Sequence, residues 1–153
     1  MSSLGRVRVL LAIVAFGLFV SGVTIWPWEW ELERILGLTS EVPVLHAVVE
    51  GILADMRDLR SRDSFVLYGL DWLAYAHLVL TALFVMAMKD PVRNILVVRF
   101  GLLCCLTVPL LAAICVPLRG LPWWWVFIDS SFAICAVPLW LALRELKRLE
   151  SAG

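Results

Sequence analysis

Four stretches of the chain are nearly unbroken in apolar residues: Val7 to Trp26, Tyr68 to Met88, Ile95 to Leu118 and Leu121 to Leu143. Each is long enough to cross a hydrocarbon core of about 30 Å as a helix, which takes about 20 residues. Between the first and second lies a polar interval, 27–67, too long for a plain connection in so small a protein. Its second half has a different rhythm. Leu45, Val48, Val49, Ile52, Met56 and Leu59 recur at helical spacing in an otherwise charged segment, predicting an amphipathic helix over about 41–60. The pattern therefore predicts an all-α integral membrane protein, a four-transmembrane-helix bundle in a single domain, with an amphipathic helix in the long outer loop. That helix is expected on the outer surface or folded over the mouth of the bundle.

Punctuation residues agree with these borders. Asp90 followed by Pro91 reads as an N-cap and first-turn proline opening the third span, and Gly120 with Pro122 reads as a tight turn into the fourth. Pro109 and Pro138 fall inside spans, where a missing N–H should kink the helix and free a carbonyl. The first run, behind Arg6 and Arg8, has a passable signal-peptide cleavage site at Val20-Ser21-Gly22. It stays apolar past that site to a Trp-rich end, so an uncleaved anchor is expected.

Charge orients the bundle. With four spans, Arg6, Arg8, Lys89, Arg93, Arg144, Lys147 and Arg148 share one side, which the positive-inside rule makes cytoplasmic, with both termini there. The other side is acid-rich and carries a tryptophan belt of Trp26, Trp28, Trp30, Trp72, Trp123, Trp124 and Trp125; Trp140 alone lies near the inner face. A bacterial inner membrane is the expected location. The 153 residues are 62% hydrophobic and only 17% charged, with 13 basic residues against 13 acidic ones, so there is neither a nucleic-acid footprint nor room for a soluble catalytic module. The expected partners are a membrane lipid or apolar small molecule, a second copy of the chain, or another membrane protein. The four cysteines all fall in apolar runs without a C-x-x-C pair and read as packing residues.

Against this apolar background a few polar groups stand out. Asp129, in "WWWVFIDSS", lies about 12 Å below the outer end of its helix, too deep to reach the surface. An intramembrane acid is protonated, paired or facing water, and is either interhelical glue or a ligand or proton site. Ser130 adds a second polar group, and Ala133 and Ala136 on the same face would let a neighbour approach. His77 lies about 9 Å below Asp71 on the second span, at a depth similar to that of Asp129. The two would form an acid–base pair sharing one proton, unless a backbone carbonyl satisfies the histidine. Asp71, Trp72, Tyr75, Arg119, Trp125 and Ser130 complete the expected ligand-binding set. Arg99 should snorkel to the cytoplasmic surface.

No metal site and no cofactor are expected. His46 and Glu50, four apart on the amphipathic helix with Arg57 on the same flank, suit a solvated salt-bridge face better than a metal. His46 and His77 lack a c-type haem attachment motif, and the chain contains no Gly-rich phosphate loop, G-x-S-x-G or H-E-x-x-H.

The segment "DPVRNILVVRFGLLCCLTVPLL", together with the acidic first loop and the one-plus-three span layout, resembles the EXPERA superfamily of emopamil-binding sterol isomerases and relatives. The resemblance implies a ligand pocket of intramembrane acids with a histidine or tryptophans, for which Asp71, Trp72, His77 and Asp129 are the matching positions. The isomerases' order of histidine and glutamate is not reproduced, which counts against isomerase activity. "DWLAYAH", "KDPVRN" and "LRGLPWWWVFIDSSFAI" are also similar to segments of bacterial four-span membrane proteins, a likeness that brings no activity with it. Three functions follow as expectations: a protein that binds a lipid or small apolar ligand in an outward-opening pocket, with proton-shift chemistry if it is an enzyme; an accessory or oligomer-forming subunit; and a proton-coupled transporter acting as a dimer.

Overall fold

The structure, a computed structural model, describes residues 2–152. It is all-α: α1 (Ser3–Val23), α2 (Trp28–Leu38), α3 (Pro43–Arg62), α4 (Ser64–Lys89), α5 (Ile95–Leu118), α6 (Trp125–Ser130), a 3-10 segment (Ser131–Cys135) and α7 (Ala136–Ala152). Among the described residues four helices are long and apolar enough to cross a membrane: Ser3–Val23, Ser64–Lys89, Ile95–Leu118 and Trp125–Ser151. The protein is an integral membrane protein, and its broad apolar exterior is the surface such a chain presents to lipid.

The chain divides into two compact units, one of Met1–Phe16 with Thr81–Gly153 and one of Gly17–Leu80. The first holds a four-helix bundle. Val7, Leu11, Val98, Leu139 and Ala142 are fully buried in it, and Phe84, Ala112, Val116 and Leu146 nearly so. α5 packs along α6, the 3-10 segment and α7. Gly101 sits where α5 meets its neighbours: a Cβ there would stand 2.6 Å from Phe84 Cζ and 3.2 Å from Leu139 Cδ1. Arg8, on α1, donates from Nε to the Met88 carbonyl at 3.0 Å and from Nη2 to the Lys89 carbonyl at 3.2 Å. A cation thereby covers the otherwise unpaired carbonyls at the negative end of α4.

The two connections in this unit follow from their sequences. Asp90 caps not α5 itself but a separate turn before it: its carboxylate accepts from the Arg93 N–H at 3.1 Å and its carbonyl from Asn94 Nδ2 at 2.9 Å. Buried Pro91 stiffens that turn, and α5 opens only at Ile95 with Asn94 as N-cap. At the far end Gly120 takes φ +68°, its N–H bonds Pro117 O at 3.0 Å and the Leu121 N–H bonds Val116 O at 3.1 Å. This paired closure needs a left-handed residue after the last turn, which glycine adopts without a Cβ penalty.

α5 runs as one helix through Pro109 and Pro117. The fourth span does not: α6 is six residues long and passes into the 3-10 segment before α7 begins. Pro138 lies just beyond: it has no N–H to offer the Ile134 carbonyl and its ring disfavours α-helical geometry there, and the Ala136 N–H reaches Ala133 O.

In the second unit α1 meets α4 at Gly22, where a Cβ would lie 3.1 Å from both Ala74 O and His77 Cβ. α2 and α3 form a hairpin closed at Thr39, whose hydroxyl donates to Leu36 O at 3.1 Å and whose carbonyl accepts from the Val42 N–H at 2.9 Å. The predicted amphipathic helix is α3, with Val49 and Leu53 buried, Val48, Ile52, Met56 and Leu59 half-buried and Leu45 exposed. The 27–67 interval thus carries two helices where the apolar stripe marked one. Asp63 ends α3 and caps α4 at once, accepting from the Phe65 N–H at 3.0 Å, which starts α4 ahead of its apolar run.

Candidate functional site

α1 stops at Val23 because Pro27 lies just beyond, and the residue before a proline resists helical geometry. The chain turns through Ile25 and Trp26 and re-enters a helix at Trp28. The close crossing at Gly22 brings this turn beside the first turns of α4. Ser64, Leu67, Tyr68 and Asp71, spaced at three and four residues, share a face of α4 and with Leu70, Ile25, Trp26 and Trp28 line a cavity of about 320 Å³. Asp71 is exposed to it, and among the described residues its carboxylate takes no hydrogen bond or ion pair.

Trp28 is held from outside. The Arg60 guanidinium lies 5.7 Å from its ring centroid, and Arg60 is itself bound to Glu29. Arg57 donates from Nε to Glu29 at 2.7 Å and bonds Glu33, so two arginines of α3 grip two glutamates of α2. The bond from Arg57 is the main cause that holds the Glu29 carboxyl below the usual carboxylate range, with Arg60 adding to it; the same bond raises Arg57. Because Glu29 titrates lower in the folded hairpin than in the unfolded chain, its contribution is fully present above the unfolded carboxylate value. It is lost as pH falls through the lowered folded value. The protection factors of the α2 and α3 amides, which divide out the intrinsic pH dependence of exchange, should therefore fall on acidification below about pH 4 in wild type, while in Glu29→Gln they are lower at neutral pH and change little on acidification. A wild-type hairpin equally protected throughout would contradict this.

Of the residues expected at the ligand site, Asp71, Trp72, Tyr75 and His77 all lie on α4, Tyr75 one turn from Asp71 on the same side and His77 on another side of the helix. Trp72 and Tyr75 continue from Tyr68 as an edge-to-face aromatic ladder, centroids 6.2 and 6.0 Å apart, each with 58% of its surface exposed. His77 is half-buried, with Nδ1 2.8 Å from Leu73 O one turn back on its own helix. That bond places the proton on Nδ1. His46 Nδ1 likewise approaches Leu36 O, at 3.2 Å, and Arg57 pairs with α2 rather than with Glu50 on its own flank.

Arg119, Trp125, Asp129 and Ser130 belong to the other unit. Arg119 is the exposed C-cap of α5. Trp125 opens α6 half-buried, its ring centroid 5.4 Å from that of Trp124. Asp129 and Ser130, both half-buried, close α6 just before the 3-10 segment, and Ser131 Oγ donates to Ile128 O at 2.6 Å. Among the described residues neither Arg119 nor Asp129 joins an ion pair, and no group of three His, Cys, Asp or Glu side chains is placed to hold a metal. Arg99 is exposed, and the cysteines are free thiols.

Ser64, Leu67 and Tyr68 were not among the expected binding residues, whereas Trp26 and Trp28 come from the outer tryptophan belt, which was expected to line the pocket. The spacing that puts the first three on Asp71's face was readable; that Trp28 faces them depends on the turn at 24–27. Comparison of the chain with protein-family models, curated proteins and solved structures finds no match.

Proposed function

We propose that this membrane protein binds a lipid or small apolar molecule in a pocket opening on the Trp-rich, outer side of a bacterial inner membrane, with both termini cytoplasmic. The observation that carries the reading is the Asp71 carboxylate without a partner on the wall of a cavity lined by Trp26, Trp28 and Tyr68. At about 320 Å³ the cavity falls at the small end of the range for ligand pockets. Aromatic faces take an apolar body or a cation, and a carboxylate accepts a hydrogen bond, so the ligand is an apolar molecule with a hydroxyl or amine head. The EXPERA resemblance, which implies an acid among tryptophans, supports the same reading. So does the run of positive charges at Arg6, Arg8, Lys89, Arg93, Arg144, Lys147 and Arg148, which favours that orientation.

Native mass spectrometry of protein released from mild detergent, with lipid extraction, tests it on wild type, Asp71→Ala and Asp129→Ala. A discrete bound mass in wild type that is lost from folded Asp71→Ala is expected. A wild type carrying nothing, or an Asp71→Ala that keeps the mass, removes the proposal. The second reading, an accessory or oligomer-forming subunit, draws support from His77, whose ring is engaged with its own helix backbone. Under that reading Asp129→Ala breaks up an oligomer while no ligand is seen in any variant.

A further inference from the structure

A second cavity, of about 290 Å³, lies in the first unit at the Arg-rich ends of α1 and α7. Its walls change character along the helices. Arg6, Arg144, Glu145 and Arg148 surround one end, while Val9 and Leu10, a turn further into the first span, and Leu141, a turn back into the fourth, form the other. Three guanidinium groups face one carboxylate, so the charged end carries a net positive charge. Glu145 is already engaged, 3.7 Å from Arg6 and 3.3 Å from Arg148, and only 14% of its side chain is exposed, whereas the arginines stay 51% and 60% exposed. Arg144 lies over the Trp140 ring at 5.5 Å, at the level where a tryptophan marks the membrane interface.

From this gradient we propose that the cleft is a binding site for an anionic phospholipid, its phosphate on Arg144, Arg148 and Arg6 and an acyl chain along Val9, Leu10 and Leu141. Guanidinium groups match phosphate oxygens in geometry as well as charge, and basic pockets between membrane helices select anionic head groups. A free phosphate would use only the charged end. A zwitterionic lipid would bring a cation against the arginines. Glu145 sets the affinity: by holding Arg6 and Arg148 it competes with the phosphate, so the site loads and releases lipid instead of trapping it.

The test titrates phosphatidylglycerol, phosphatidylcholine and inorganic phosphate onto delipidated protein in mild detergent, read by native mass spectrometry. Wild type should bind phosphatidylglycerol well ahead of phosphatidylcholine, and millimolar inorganic phosphate should not displace it. Arg144→Gln with Arg148→Gln should weaken phosphatidylglycerol by about fivefold for each arginine removed. Glu145→Gln, which keeps side-chain size and frees two arginines, should tighten it. That gain cannot come from misfolding, so it decides the matter should the arginine variant fail to fold. Equal binding of the two lipids, full displacement by inorganic phosphate, or an unchanged or weakened Glu145→Gln each overturns the proposal.

Discussion

Gly101→Val should cost the bundle of the first unit about 3 kcal/mol, seen as a markedly lower unfolding temperature in detergent. The chemistry of the helix alone argues the other way, since a glycine inside a helix is worse than alanine by up to about 1 kcal/mol. The surroundings reverse the sign. A Cβ at 101 would fall 2.6 Å from Phe84 Cζ, a distance real Cβ atoms do not keep, and 3.2 Å from Leu139 Cδ1. Phe84 is 5% exposed and Leu139 not at all, so neither side chain has space to retreat into. In lipid, where apolar burial from water does not drive helices together, close packing at small residues is the main attraction, and separating α5 from its neighbours forfeits it. Gly101→Ala should show the same sign with a smaller loss, about 1 kcal/mol. Adding Phe84→Leu to Gly101→Ala should recover most of it, a coupling expected only of residues in contact. A Gly101→Val protein as stable as wild type would mean that α5 and α4 do not pack this way.

The sequence made the spans legible because lipid demands long apolar runs, but it placed their ends by hydropathy, and the ends are set by caps. α1 runs Ser3–Val23 instead of to Trp26 because Pro27 closes it, and α4 begins at Ser64 because Asp63 caps it there. α2 escaped notice because "WEWELERILGL" reads equally as interfacial tryptophans and acidic loop. What makes it a helix is its pairing with α3 through Glu29, Glu33, Arg57 and Arg60, a tertiary fact. Gly22 and Gly101 are alike in that respect, since nothing local distinguishes a glycine at a helix crossing from Gly17 or Gly69, whose surroundings are open. The candidate cavity was half legible: Asp71 stood out as a carboxylate near an apolar run, whereas the tryptophan opposite it is delivered by a turn whose direction only the fold reveals.

Asp129 shows a different limit, and a proline tests it. Placing Ala133 and Ala136 on the face of Asp129 assumes an unbroken α-helix, and the chain between them is not one. Backbone angles near φ −63°, ψ −20° at Ser130 and φ −63°, ψ −30° at Ala136 bracket five residues in 3-10 geometry. Each turns about 20° further than an α-helical residue, so across the segment Asp129 is rotated by about 100° relative to α7, the equivalent of one helical position. If Pro138 causes the break, Pro138→Ala restores the missing N–H to Ile134 O, removes the ring clash and lets the span run as one α-helix. Single cysteines placed at 126 to 130, in a background lacking Cys104, Cys105, Cys115 and Cys135, report the change as rates of labelling by a water-soluble thiol reagent. The fastest-labelled position should move by about one residue when the Pro138→Ala substitution is added to that background. Stability should hold or rise, because alanine is favoured over proline in a helix interior by about 3 kcal/mol. An unmoved pattern would mean that packing of α5 against the 3-10 segment imposes the break, and that the direction of Asp129 is fixed by its neighbours and not by the proline nine residues on.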